Sequence, residues 1–144
     1  MSTLNNQKFY INGQWVNPNS VQLLDVINPA NEEIIAQITI GNEQDLNNAV
    51  KAAKISFESW SVSSIEKRLK LLNKLRDIYQ KRFDEMTVAI TTEMGCPRDF
   101  SSDVQTQSGL DHLDDFIEQL KNFNFENKFR EKSNNYITYE PIGV

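Results

Sequence analysis

The sequence has little of what most catalytic and metal sites are built from. It holds 144 residues with one cysteine, Cys96, and one histidine, His112. A single cysteine excludes an internal disulfide framework and a thiolate cluster for zinc. A single imidazole cannot make a histidine-based metal site. Glycine occurs five times and proline four, and none of the glycines falls in a G-x-G-x-x-G, G-x-x-x-x-G-K-[ST] or G-x-S-x-G pattern. Phosphate-cradling loops and nucleophile elbows are therefore missing. No apolar run approaches the roughly 20 residues needed to cross a bilayer. The polar opening, residues 1–7, which is expected to fray, lacks the basic and apolar regions of a secretory signal. Cytoplasmic localisation without a membrane partner is the expectation. Fifteen basic against twenty acidic side chains give a net charge of −5, which argues against nucleic acid as a partner.

What is present is an ordinary globular composition, with 39% hydrophobic and 24% charged residues, in a length that suits one domain with its own core. Residues 63–97 carry the clearest helical period. Ile65, Leu72, Tyr79 and Met86 recur every seventh residue, and Leu69, Phe83 and Ile90 form a second line interrupted by Arg76. Ser63 with Glu66 has capping-box spacing, and Gly95 with Pro97 supplies the stop. Residues 80–84 contain neither glycine nor proline, so local signals place no break there. The basic run along this helix, with Glu66–Lys70 and Asp77–Lys81 at i,i+4 spacing, reads as a solvated face.

Upstream, KFYINGQWV (residues 8–16) reads as a tight hairpin around Asn12-Gly13. Residues 23–27 and 34–40 are two further β-rich runs, separated by a turn at Pro29, and the whole forms a small antiparallel β unit. Asn42 is a good N-cap for a helix to about Trp60, with Asp45 in its first turn. Downstream, a third helix is expected from about residue 100 to residue 123. Gly109 lies in its interior at a cost of roughly 1 kcal/mol relative to alanine; such a glycine marks close backbone approach or, less often, a gap facing a ligand. Phe123, Phe125 and Phe129 are expected to pin a polar loop, and residues 135–144 read as a strand.

No cluster here compels a reaction. Cys96 follows Gly95 at the negative end of a helix dipole, a setting that disfavours a thiolate nucleophile. His112 with Asp111, Asp114 and Asp115 reads as an acid-rich exposed helix face, and nothing adjacent marks Glu93 as a base.

Taken in order, however, several segments resemble the opening third of the NAD(P)-dependent aldehyde dehydrogenase family. Residues 9–16 resemble its first hairpin, and VINPANEEIIA (residues 26–36) its Asn-Pro-Ala-Thr-Gly-Glu stretch. AVKAAKISFESW (residues 49–60) resembles its first helix. Residues 68–75 and then Glu93-Met94-Gly95-Cys96-Pro97 resemble its paired helices and their Glu-x-Gly-x-Pro close. Residues 108–113 and 120–125 resemble the helix that follows, and EPIGV (residues 140–144) the strand leading into the cofactor domain proper. Glu32 stands where the family has glycine, so the positive φ of that turn is expected at Asn31. Cys96 stands where alanine or lysine is common and does not match the family's nucleophile.

The resemblance implies an α/β parent fold. This segment would be an α+β piece with N-terminal hairpins, three main helices (the long one with a possible kink) and a C-terminal strand. Residues 1–134 would belong to the cofactor-binding domain and residues 135–144 would start an oligomerisation arm, with the catalytic domain absent. The parent would be a homodimer or homotetramer that oxidises an aldehyde to a carboxylic acid with NAD or NADP. In that scheme a cysteine thiolate attacks the carbonyl, an amide and an asparagine steady the oxyanion, and a glutamate activates water. All these residues, and those binding the cofactor, would lie beyond Val144, so no catalytic or cofactor-binding residue is assigned here. The third helix borders the aldehyde entrance in the family, which makes Gly109, Leu110 and Leu113 substrate-channel candidates. Some members hold a structural cation near carbonyls matching Val26 and Ile27; the side chain there would be the neutral Gln105, and no metal site is assigned. The alternative is a free-standing, non-catalytic α+β interaction module.

Overall fold

In the computed structural model, which describes residues 7–132 and 134–144, β1 (Phe9–Ile11) and β2 (Gln14–Val16) form the expected hairpin. Asn12 and Gly13 have φ values of 52° and 76°, the pair of positive angles that a type I′ turn demands. Tyr10 and Trp15 lie opposite each other across it, ring centroids 5.2 Å apart. β3 (Leu23–Ile27) pairs antiparallel with β4 (Ile34–Thr39). The two hairpins do not merge into one β unit; among the described residues the strands form separate two-stranded ribbons. Of the polar opening expected to fray, residues 1–6 lie outside the described residues.

α1 (Glu43–Trp60) starts at Asn42, where a capping box forms: Asp45 N donates to Asn42 Oδ1 and Asn42 N donates to Asp45 Oδ2, both at 3.0 Å. Asp45 Oδ1 also accepts from the backbone and side-chain nitrogens of Asn19, at 2.9 and 2.6 Å. Burial pushes the Asp45 carboxyl up, but the hydrogen bonds from Asn19 and Asn42 outweigh it and hold the group below its ordinary value. One carboxylate thus ties the loop after β2 to the first turn of α1.

α2 (Ile65–Lys81) is capped by Ser64, whose hydroxyl accepts from Lys67 N at 3.3 Å, one residue later than expected. Ser63 instead closes the corner between the helices, donating to the Trp60 carbonyl at 2.6 Å and accepting from Arg68 Nε at 2.9 Å. The Arg68 guanidinium lies within 6 Å of the Trp60 and Phe125 rings, at 5.8 and 5.9 Å, a cation–π distance. Glu66 turns back to the Ser64 hydroxyl, which holds its carboxyl below the ordinary value.

The single helix expected over residues 63–97 is two. α2 ends and α3 (Phe83–Met94) begins at Arg82, with φ −105° and ψ 18°. Its N–H is shared between the carbonyls of Ile78 and Tyr79, at 3.0 and 3.1 Å. Charge makes the junction tolerable. Lys81 sits at the negative end of α2, while Asp84 and Glu85 sit at the positive end of α3. Arg82 hydrogen-bonds Glu85 Oε2 at 2.8 Å and holds that carboxyl below its ordinary value.

The third helix is a rod in three parts: α4 (Arg98–Phe100), a π segment (Ser101–Thr106) and α5 (Gln107–Asn122). The polar loop expected after it contains a strand, β5 (Glu126–Lys128), paired with β6 (Tyr136–Thr138). The final strand is therefore shorter than residues 135–144, and one of its edges is occupied. Phe123 packs edge-on against Phe125 and Tyr139 at 4.7 and 5.3 Å. Phe129, expected to help pin this loop, is exposed beside Arg130.

Two positive φ values fix the contact between the β3–β4 turn and the helices. Gly95 caps α3 in the left-handed region, φ 66°. A Cβ there would stand 2.7 Å from Ala30 N and 2.9 Å from Pro29 Cγ, so the turn at residues 28–33 rests on bare glycine backbone. Within that turn the left-handed residue is Glu32, φ 61°, and not Asn31 as expected. The Asn31 carboxamide is committed to Glu33, accepting from its N–H at 3.2 Å and donating to Oε2 at 2.8 Å. The reversal then falls on the next residue, where glycine would sit without strain.

The core is thin. Leu110 and Ile117 are the buried apolar side chains among the described residues. The chain exposes 11375 Å², whereas a compact monomer of 16.6 kDa would expose roughly 7,600 Å². The length allows a self-sufficient core, but these elements do not make one. Expressed alone, residues 1–144 should bind a hydrophobic dye and melt without a sharp transition; a monomer with a cooperative melt and little dye binding would contradict this. In the complete protein, Glu32→Gly should raise stability by about 1 kcal/mol and Gly95→Ala should lower it by about 1–2 kcal/mol. Chemical denaturation reads both, and equal signs would refute the turn analysis.

Candidate functional site

The best-buried polar groups converge where α2 and α3 meet the rod. Thr87 on α3 and Ser101 and Thr106 in the π segment are at most 1% exposed. Buried hydroxyls must find partners, and these do. Thr87 Oγ1 and Thr106 Oγ1 are 3.1 Å apart. Ser101 Oγ donates to the Pro97 carbonyl at 3.2 Å and lies 2.9 Å from Cys96 Sγ. Tyr79 Oη, from the apolar stripe of α2, donates to the Thr106 carbonyl at 2.9 Å. Partial burial pushes the Tyr79 phenol up, which keeps it a neutral donor.

Gly109 explains how Tyr79 reaches that carbonyl. A Cβ on Gly109 would overlap the Tyr79 hydroxyl and lie 2.8 Å from Cζ. Of the two readings open for a glycine in a helix interior, the structure shows close approach: the tyrosine ring lies directly on α5 backbone. Leu110 is buried and Leu113 half-buried. Gly109 therefore faces α2 in the described residues and is covered by its tyrosine.

The acid-rich face resolves into separate pairs. Asp114 binds Arg76 Nε across the α2–α5 contact at 2.9 Å, and this bond holds the Arg76 guanidinium above its ordinary value. The arginine that interrupts the second apolar line of α2 is thus the cross-helix partner of α5. Asp111 accepts from Gln107 Nε2 at 2.7 Å. His112 and Glu93 are exposed, and neither is drawn into a cluster with these carboxylates. Cys96 is half-buried with Ser101 as its neighbour. Among the described residues no group of three or more His, Cys, Asp or Glu could hold a metal ion. Gln105 is half-buried in the π segment.

Nothing in this arrangement is a reacting centre. It lacks a nucleophile with a base, and it lacks a phosphate-cradling turn for a dinucleotide. Sequence reasoning missed Ser101, Thr87 and Thr106, because hydroxyls in helices give no periodic signal. The signal that was available is Tyr79 on an apolar stripe together with a glycine inside the partner helix.

The family model described as "Aldehyde dehydrogenase family" matches residues 15–144. A Staphylococcus epidermidis protein provisionally named as an aldehyde dehydrogenase is 41% identical over 137 residues, covering 95% of this chain and 28% of that relative. The crystal structure of an aldehyde dehydrogenase from Bartonella henselae matches with TM-score 0.87 and 38% identity, covering 90% of this chain and 27% of that one. Aldehyde dehydrogenase C of Pseudomonas syringae, in a mutant form solved with NAD+ and octanal, matches with TM-score 0.83 and 32% identity over 85% of this chain and 25% of that one. The hairpins and helices match the N-terminal part of the fold, and the chain spans 28% of the length of the curated relative. With the family model covering residues 15–144, the chain belongs to the aldehyde dehydrogenase family.

Proposed function

We propose that these residues are the N-terminal part of an enzyme that oxidises an aldehyde to a carboxylic acid with NAD or NADP, and that the reacting groups are supplied by other parts of that protein. The observation that carries the reading is the contact at Gly95. Two segments that resemble family motifs, residues 26–36 and 93–97, lie far apart in sequence and pack on each other through a glycine whose Cβ, if it had one, would stand 2.7 Å from Ala30 N. Such an agreement between motif and packing goes beyond a chance match of short strings.

Within the enzyme, the chain's own residues would support and bind nothing covalently. None of its five glycines opens a phosphate-cradling turn, so these residues do not fit a dinucleotide by themselves, and no step is assigned to them. A relative's structure contains NAD+ and octanal, which favours a nicotinamide cofactor and an aldehyde substrate for this protein. Residues 1–134 would belong to the cofactor-binding domain. Residues 135–144 would begin the arm that joins subunits into a homodimer or homotetramer, and the exposed Tyr136, Ile137 and Tyr139 are apolar in keeping with that. Gly109, Leu110 and Leu113 would shape the aldehyde entrance from behind, by setting how closely α5 lies on α2. A single unpaired cysteine suits a reducing compartment, the cytoplasm.

The complete protein, purified and given a panel of aliphatic and aromatic aldehydes, should reduce NAD+ or NADP+ in an aldehyde-dependent way and release the carboxylic acid. Failure to reduce either nucleotide with any aldehyde, in a folded preparation, would overturn the reading.

A further inference from the structure

We propose that Tyr79 is a positioning residue for α5: its hydroxyl holds residues 101–106 in π register and so sets which face α5 turns towards the rest of the enzyme. The proposal rests on the reading above, that α5 borders the aldehyde entrance.

The register is written in the burial pattern. Ser101 and Thr106 are both fully buried and five residues apart, whereas Thr106 and Leu110 are four apart. Five is the repeat of i→i+5 bonding, and Gln107 N–H does bond to the Ser102 carbonyl. In an unbroken α-helix, at about 100° per residue, Ser101 would lie on the opposite side from Leu110 and Ile117, roughly 160–180° away. Only the π turn lets both ends of the rod bury their inward groups together.

A π turn is less favourable than α-helix, so something must hold it. Thr106, its last residue, is gripped twice: its side chain by Thr87 of α3 and its carbonyl by Tyr79 of α2. The grip from α2 depends on the missing Cβ of Gly109. On the far side of the same rod, Phe100, Val104 and Phe116 are exposed apolar side chains. Their direction follows from the phase fixed at Thr106. Loss of the Tyr79 hydroxyl would free residues 101–106 to relax towards α geometry and swing these side chains relative to α5.

The test is Tyr79→Phe in the complete protein, which keeps the ring and removes only the donor. Two readouts are needed: amide hydrogen exchange across residues 98–113, and kcat and KM for a small and a bulky aldehyde. The expected result is faster exchange confined to residues 101–110, with KM for the bulky aldehyde raised about three- to tenfold and kcat within about twofold. Gly109→Ala, which expels the hydroxyl by contact, should reproduce the KM shift, and adding Tyr79→Phe to it should change little further. Unchanged exchange at residues 101–110 overturns the proposal, as does a loss of kcat with both KM values intact, the mark of a smaller active fraction. Absence of aldehyde turnover in the unaltered protein would instead strike the functional reading, and the exchange experiment would still decide whether Tyr79 holds the π segment.

Discussion

The helices of this chain are keyed to one residue. Thr106 is fully buried and offers a hydroxyl and a carbonyl to two different helices, one answered by Thr87 and the other by Tyr79. Among the described residues Leu110 and Ile117 are the buried apolar side chains, and the other apolar side chains of these helices are at most half-buried, so apolar volume is a modest lock on helix orientation. Directional hydrogen bonds do that work instead. A buried hydroxyl without its partner costs about 1–3 kcal/mol, a large fraction of the stability of an ordinary domain.

The same thinness links structure to function. The chain exposes about half as much surface again as its mass predicts for a compact monomer. Family membership gives that exposure a context: aldehyde dehydrogenases of which this chain spans little more than a quarter. The α2–α5 contact fixes the rod against α2 through Tyr79 and Arg76.

Much of this was legible from residue types. Asn12-Gly13 specified the first hairpin because only such residues accept two positive φ values. Asn42 with Asp45 specified the start of α1 because both can exchange hydrogen bonds with each other's backbone. The break at Arg82 was harder, since no glycine or proline marks it. Its trace is the switch from basic to acidic side chains between Lys81 and Glu85, which is meaningful only once two dipoles are placed end to end. Glu32 went unread because the local propensity of Asn31 for the left-handed region was overruled by the hydrogen bonds its side chain makes to Glu33. The π segment was invisible for a different reason. Its register depends on Tyr79 and Thr87, distant in sequence, and no local period encodes a contact of that kind. Gly109 takes its meaning from a tyrosine about thirty residues earlier in the chain, a contact that its neighbours Leu110 and Leu113 do not signal.

The central claim is that buried hydroxyls at Thr106, more than apolar volume, hold the helices in register. A double-mutant cycle with Thr87→Val and Thr106→Val in the complete protein tests it most directly. Each valine keeps the shape and removes one end of the bond, so each single change should lower stability by about 1–3 kcal/mol, and the double variant should lose clearly less than the sum. If both single variants are neutral or more stable and their effects simply add, packing volume holds these helices and the account is wrong.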